Sequence, residues 1–134
     1  MTTQKTLVSG THILLDINHV DAEKLKDDKF VRDSMIQAAK DAGAHILHDY
    51  FHHFGGQWGV TGIVAVSESH LSIHTWPEFN YASIDIYLCR GMDPRVAADS
   101  LIKSFDSHDY DLKVIERLAR VVLENPDDNQ EIKF

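Results

Sequence analysis

Two neighbouring runs with a period of two constrain the fold of this chain most. In Ser69 to Glu78 (SHLSIHTWPE), His70, Ser72, His74 and Trp76 alternate with Leu71, Ile73 and Thr75. Successive side chains of a strand point to opposite faces, so one face is polar and the other apolar. Pro77 to Asn80 interrupts, and Tyr81 to Cys89 then alternates again, with Ile84, Ile86 and Leu88 opposite Ser83, Asp85, Tyr87 and Cys89. The pair predicts an antiparallel hairpin with one face to bury, which needs a second layer. If both apolar faces enter one core, His74 and Cys89 share the opposite face, while the register between them stays open.

The remaining segments supply that second layer. Thr11 to Ile17 (THILLDI) reads as a strand. From Asp21 to Ala42 the apolar positions Val31, Met35, Ala38 and Ala42 follow helical spacing, and Gly43 stands where a helix stops. Ala44 to Phe54 is β-favouring and closed by Gly55-Gly56, and Val60 to Val66 suits a central strand. Asp93-Pro94 opens a helix with Ala98, Leu101, Ile102 and Phe105 as its buried stripe, and a last strand runs from Leu112 to Val121. This order predicts an α+β fold, a two-layer sandwich of an antiparallel β-sheet with helices on one face. The 134 residues correspond to a single domain, 1–134, with the tail after Glu124 a solvated end. At 43% hydrophobic and 25% charged residues the chain is of globular composition, and one cysteine, Cys89, cannot form an internal bridge.

Thirteen Lys and Arg against twenty-one Asp and Glu give a formal charge of −8. An acidic surface repels phosphate, which argues against nucleic acid and anionic membranes and mildly favours a cationic ligand. MTTQKTLVSG contains no apolar signal core, and no apolar run approaches the roughly 18 residues that span a bilayer, so a cytoplasmic location is expected.

Several chemistries are open from residue types alone. Nine histidines, six of them between Ala44 and Trp76, raise zinc, but no CxxC, HExxH or helical HxxxH spacing is present and no metal site is expected. Gly55, Gly56, Gly59 and Gly62 match neither phosphate-binding glycine pattern and read as turn residues. Cys89 beside Arg90 could be an activated thiolate or a buried structural thiol. A serine hydrolase using Ser69 or Ser72 with His74 lacks a nucleophile elbow.

SESHLSIHTWPE (Ser67 to Glu78), preceded by GVTGIVAV and followed by a strand ending in Cys89, strongly resembles the small prokaryotic type of S-adenosylmethionine decarboxylase, a family that makes its own pyruvoyl cofactor by cutting its chain. His74 lies five positions after Ser69 and Cys89 twenty, and a looser similarity runs from THILLD through FHHF to the terminal strand.

The resemblance implies roles. The Ser69 hydroxyl attacks the Glu68 carbonyl, turning amide into ester; His74 removes the α-proton of residue 69; and elimination leaves a 1–68 β chain ending in Glu68 and a 69–134 α chain opening with pyruvoyl. That ketone forms a Schiff base with S-adenosylmethionine, and Cys89 donates the proton after CO₂ leaves. Thr61 stands where the family usually has a serine assisting processing. Glu78 is implied for the ribose hydroxyls, Trp76 for an apolar wall and Phe54 for stacking on adenine. A homodimer with the active site at the interface is also implied. Arg90 replaces the usual glycine after the cysteine, and Gly55-Gly56-Gln57-Trp58 replaces a shorter proline-containing turn. These departures motivate two alternatives: a pyruvoyl-dependent arginine or ornithine decarboxylase, and, on Thr61, an unprocessed non-catalytic homologue.

Overall fold

The period-two runs assemble into one antiparallel sheet, seen in a computed structural model that describes residues 2–124. The expected solvated end beyond Glu124 lies outside the described residues. In chain order the elements are β1 (Thr3–Asn18), α1 (Ala22–Leu25), α2 (Asp28–Asp41), β2 (Ile46–His53), β3 (Val60–Val66), β4 (Ser69–Trp76), a 3₁₀ turn (Pro77–Phe79), β5 (Tyr81–Cys89), α3 (Pro94–Ser104) and β6 (Asp109–Leu123). The six strands lie in the order β2-β3-β4-β5-β1-β6. The fold is α+β, with the sheet as one layer and the helices as the other.

The alternation decides which face is covered. Ile13, Leu15 and Ile17 of β1, Leu71 and Ile73 of β4, and Ile84, Ile86 and Leu88 of β5 are buried. They meet Val31, Met35, Ala38 and Ala39 of α2 and Ala97, Ala98 and Leu101 of α3 in one core. Phe105, just past α3, is buried edge-on to Phe30 with ring centroids 5.4 Å apart. Burial of one such ring stabilises the fold by about 1.5–3 kcal/mol. The opposite face carries His70, Ser72, His74, Ser83, Asp85, Tyr87 and Cys89, all only partly covered.

Three boundaries differ from expectation. The helix expected from Asp21 to Ala42 is two helices, because Asp27 accepts from the Phe30 N–H and caps a fresh start immediately after Lys26 closes α1. β1 begins at Thr3 rather than Thr11, and β6 runs from Asp109 to Leu123 rather than from Leu112 to Val121. The added ends pair with each other from Thr3↔Leu123 onward, largely exposed, so no buried face imposes an alternation there.

Candidate active site

The β3–β4 hairpin concentrates an unusual backbone conformation at one peptide bond. Ser67 and Glu68 form a two-residue connection, and such loops ordinarily take positive φ within the loop at Gly or Asn. Here the positive φ falls on Ser69, at 137°. A side chain is crowded in that region, at a cost on the order of 1–3 kcal/mol. The strained torsion adjoins the Glu68–Ser69 peptide bond.

Hydrogen bonds from two other segments hold this turn. The Cys89 N–H donates to the Glu68 carbonyl at 2.8 Å, and the Ser67 N–H donates to the His45 carbonyl at 2.8 Å. The Glu68 carboxylate accepts from the His45 N–H at 2.9 Å and pairs with His45 Nδ1 at 2.7 Å. These bonds, the ring contact first, hold its pKa below the usual carboxylate range. The Ser69 hydroxyl lies 3.3 Å from His70 Nδ1. A cavity of about 410 Å³ opens here, lined by Ser9, Ser67, Glu68, Ser69, Tyr87, Cys89 and Ala119. Ser69 and Cys89 thus share one concavity, at the end of the β4–β5 pairing where Ser69 stands opposite Leu88, one position from Cys89.

The other end of β4 carries a second cluster. Thr61 opposes His74 across the β3–β4 ladder, and Thr61 Oγ1 lies 3.1 Å from His74 Nδ1. Trp76 stacks on Tyr81 at 5.3 Å between centroids. Phe54, Trp58, Thr61, His74, Trp76 and Glu78 line a cavity of about 380 Å³. Gly59 permits the turn to sit this close: a methyl there would overlap the Thr75 carbonyl. Thr75 itself is anchored underneath, its hydroxyl donating to the Leu25 carbonyl at 2.6 Å and accepting from the Val60 N–H at 2.8 Å.

The two clusters are separate within one chain. Five residues of strand at about 3.3 Å each put Ser69 and His74 roughly 16 Å apart. The uncovered sheet face between and beside them carries paired ionisable groups, His12 with Asp85 at 3.0 Å and Tyr81 donating to Asp16 at 2.6 Å. Burial, and then the Asp16 carboxylate, push the Tyr81 phenol up to about 12. Tyr50 and Ile63 add exposed apolar surface on the same face.

Of the sequence candidates, the structure joins Glu68, Ser69 and Cys89 at one end and Phe54, Thr61, His74, Trp76 and Glu78 at the other. Tyr87, which the alternation puts on the face of Cys89 but to which the sequence assigns no role, lines the first cavity as well. Ser9 and Ala119 reach the first cavity only through the β1–β6 ribbon, which no local signal marks. Trp58 stood out as a turn departure, and the structure places it on the cavity wall.

Among the described residues no three His, Cys, Asp or Glu side chains converge as a metal site, and no helix is long and apolar enough to cross a membrane. The family model for S-adenosylmethionine decarboxylase matches residues 11–118. An S-adenosylmethionine decarboxylase proenzyme of Prochlorococcus marinus (strain MIT 9211) is 38% identical over 117 residues, covering 87% of this chain and 95% of that protein. A proenzyme of the same description from Geobacillus sp. (strain WCH70) is 47% identical over 90 residues, 67% of this chain and 72% of the other. The crystal structure of the adenosylmethionine decarboxylase from Aquifex aeolicus superposes with a TM-score of 0.76 at 32% identity, covering 92% of this chain and 98% of that one. With a family match across most of its length and relatives of similar extent, the chain belongs to the S-adenosylmethionine decarboxylase family.

Proposed function

We propose that this chain is a self-cleaving proenzyme that cuts itself between Glu68 and Ser69 and then decarboxylates S-adenosylmethionine, supplying decarboxylated S-adenosylmethionine for spermidine synthesis. The observation that carries the reading is the positive φ of Ser69 directly beside the bond to be cut. In the first step the Ser69 oxygen bonds to the Glu68 carbonyl carbon, the C–N bond breaks, and the hydroxyl proton ends on the freed amine. The Cys89 N–H already donates to the carbonyl oxygen on which negative charge develops, an oxyanion contact just beyond the end of the β4–β5 ladder. In the second step a base removes the α-proton of residue 69, the Cβ–O bond breaks, and Glu68 leaves as a carboxylate. Water then replaces the nitrogen of residue 69, releasing ammonia and leaving the 69–134 chain with a pyruvoyl start.

Ser69, with Cys89 in the same cavity, fits generation of that group. The pyruvoyl group supplies an electron sink for loss of the substrate carboxylate. The Cys89 thiol is assigned to deliver the proton that replaces CO₂.

His74 is assigned as the base, oriented by the Thr61 hydroxyl. Its distance from Ser69 within one chain favours service to the Ser69 of another copy. A homodimer meets this need: a two-fold axis near the middle of β4 carries each end of the strand over the partner's opposite end. The uncovered, partly apolar sheet face is the surface for it. Phe54, Trp76 and Glu78 then wall the assembled site, the rings suiting an adenine and the carboxylate a ribose diol. An acidic chain of formal charge −8 suits a sulfonium substrate. The names of the relatives favour this substrate over arginine or ornithine, and the strained Ser69 favours a processed chain over an inert scaffold.

Ser69→Ala tests the reading, since it must abolish both chain cleavage and release of labelled CO₂ from carboxyl-labelled S-adenosylmethionine. Cleavage persisting in Ser69→Ala refutes the assignment. A fully cleaved wild-type protein that releases no CO₂ refutes the substrate.

A further inference from the structure

We infer that His45 is a positioning residue for self-cleavage: it clamps the Glu68 side chain and so keeps the scissile peptide in its strained orientation until the bond is cut. The inference rests on the processing reading above and names a residue which that reading does not use.

A strained peptide relaxes by turning about the bonds on either side of it unless both sides are held. On the carbonyl itself the Cys89 N–H provides one anchor, which fixes the oxygen but not the Glu68 Cα. The second anchor comes from His45. Its backbone N–H and its ring Nδ1 engage the two different oxygens of the Glu68 carboxylate, at 2.9 and 2.7 Å, a two-point grip that fixes the side chain in direction as well as distance. A third bond, from the Ser67 N–H to the His45 carbonyl at 2.8 Å, locks the two segments together.

His45 is itself held rigidly. It follows the end of α2, where Gly43 takes φ 77° and its N–H donates to the Lys40 carbonyl while the Ala44 N–H donates to Ala39. This left-handed stop fixes where the chain leaves the helix. The exposures of the two partners separate a positioning role from packing. The Glu68 side chain is 14% exposed, whereas the His45 side chain is 79% exposed and so contributes little buried area. Its ring acts here through the hydrogen bond to Glu68. The lowered pKa of Glu68 agrees, because it reports a carboxylate stabilised in its charged form by that contact.

The test measures the rate at which freshly synthesised precursor disappears, by intact-protein mass, for wild type, His45→Ala and His45→Asn. An asparagine amide can donate from near the position of Nδ1, so it restores the clamp without the ring. His45→Ala is expected to slow cleavage about tenfold, the scale of one hydrogen bond to a charged group, and His45→Asn to recover most of that loss. Both variants are also melted in the uncleavable Ser69→Ala background, so that any shared loss of stability is separated from the rate contrast between them. Cleavage of His45→Ala at the wild-type rate overturns the inference, as does an equal slowing by Ala and Asn. A wild-type precursor that never cleaves overturns the processing reading itself.

Discussion

Mixing two inactive variants gives the sharpest consequence of the divided site. On the proposed roles Ser69→Ala lacks the nucleophile and His74→Ala lacks the base, so neither alone should produce a pyruvoyl chain. Five residues of β4 put these positions about 16 Å apart, whereas proton transfer needs about 3 Å, so no side-chain rotation closes the gap within one chain. In a homodimer made from equal amounts of both variants, half the dimers are mixed. Each mixed dimer has one site with both functional residues and one with neither, so about a quarter of all sites are restored and about half of the His74→Ala chains are cleaved. The two precursors are unfolded together, refolded as a mixture and followed by intact mass and by CO₂ release. Failure to restore any cleavage in a demonstrated mixed dimer refutes the shared site. Efficient cleavage of His74→Ala alone refutes the role of His74.

Other consequences follow from single contacts. Cys89→Ala should retain cleavage, since its backbone N–H still meets the Glu68 carbonyl, while turnover falls about 10²–10⁴-fold; normal turnover would exclude the thiol as proton donor. Thr61→Ser should preserve cleavage, whereas Thr61→Val removes the hydroxyl 3.1 Å from His74 Nδ1 and should slow it about tenfold in the same mass assay. The Tyr81 phenol, with its folded pKa raised to about 12, contributes stability that is fully present below the unfolded value of about 10 and is lost as pH rises through about 12. Titration of tyrosinate absorbance should show a late phase that is absent in Tyr81→Phe.

The central hairpin was legible because burial of one face forces alternation: Leu71, Ile73, Ile84, Ile86 and Leu88 declare the covered side and leave His74 and Cys89 on the other. The β1–β6 extension was not legible, since Thr3 to Thr6 and most of β6 are exposed and a strand with no buried face has no periodic signature. The break between α1 and α2 turned on one cap, Asp27, set inside a run of helix-compatible residues. At the site, the spacing of Ser69, His74 and Cys89 carried the family resemblance, but spacing along a strand says nothing of which end of a sheet meets which. That His45 touches Glu68 depends on a helix end packing near a hairpin turn 23 residues further along the chain. No local pattern encodes such a meeting.

Intact-protein mass spectrometry of the purified chain, with and without borohydride or hydrazine, tests self-cleavage most directly. Two polypeptides are expected, one ending at Glu68 and one beginning at residue 69 with a blocked, carbonyl-bearing start that both reagents shift in mass. A single unreacted chain of 15.2 kDa after prolonged incubation would contradict it.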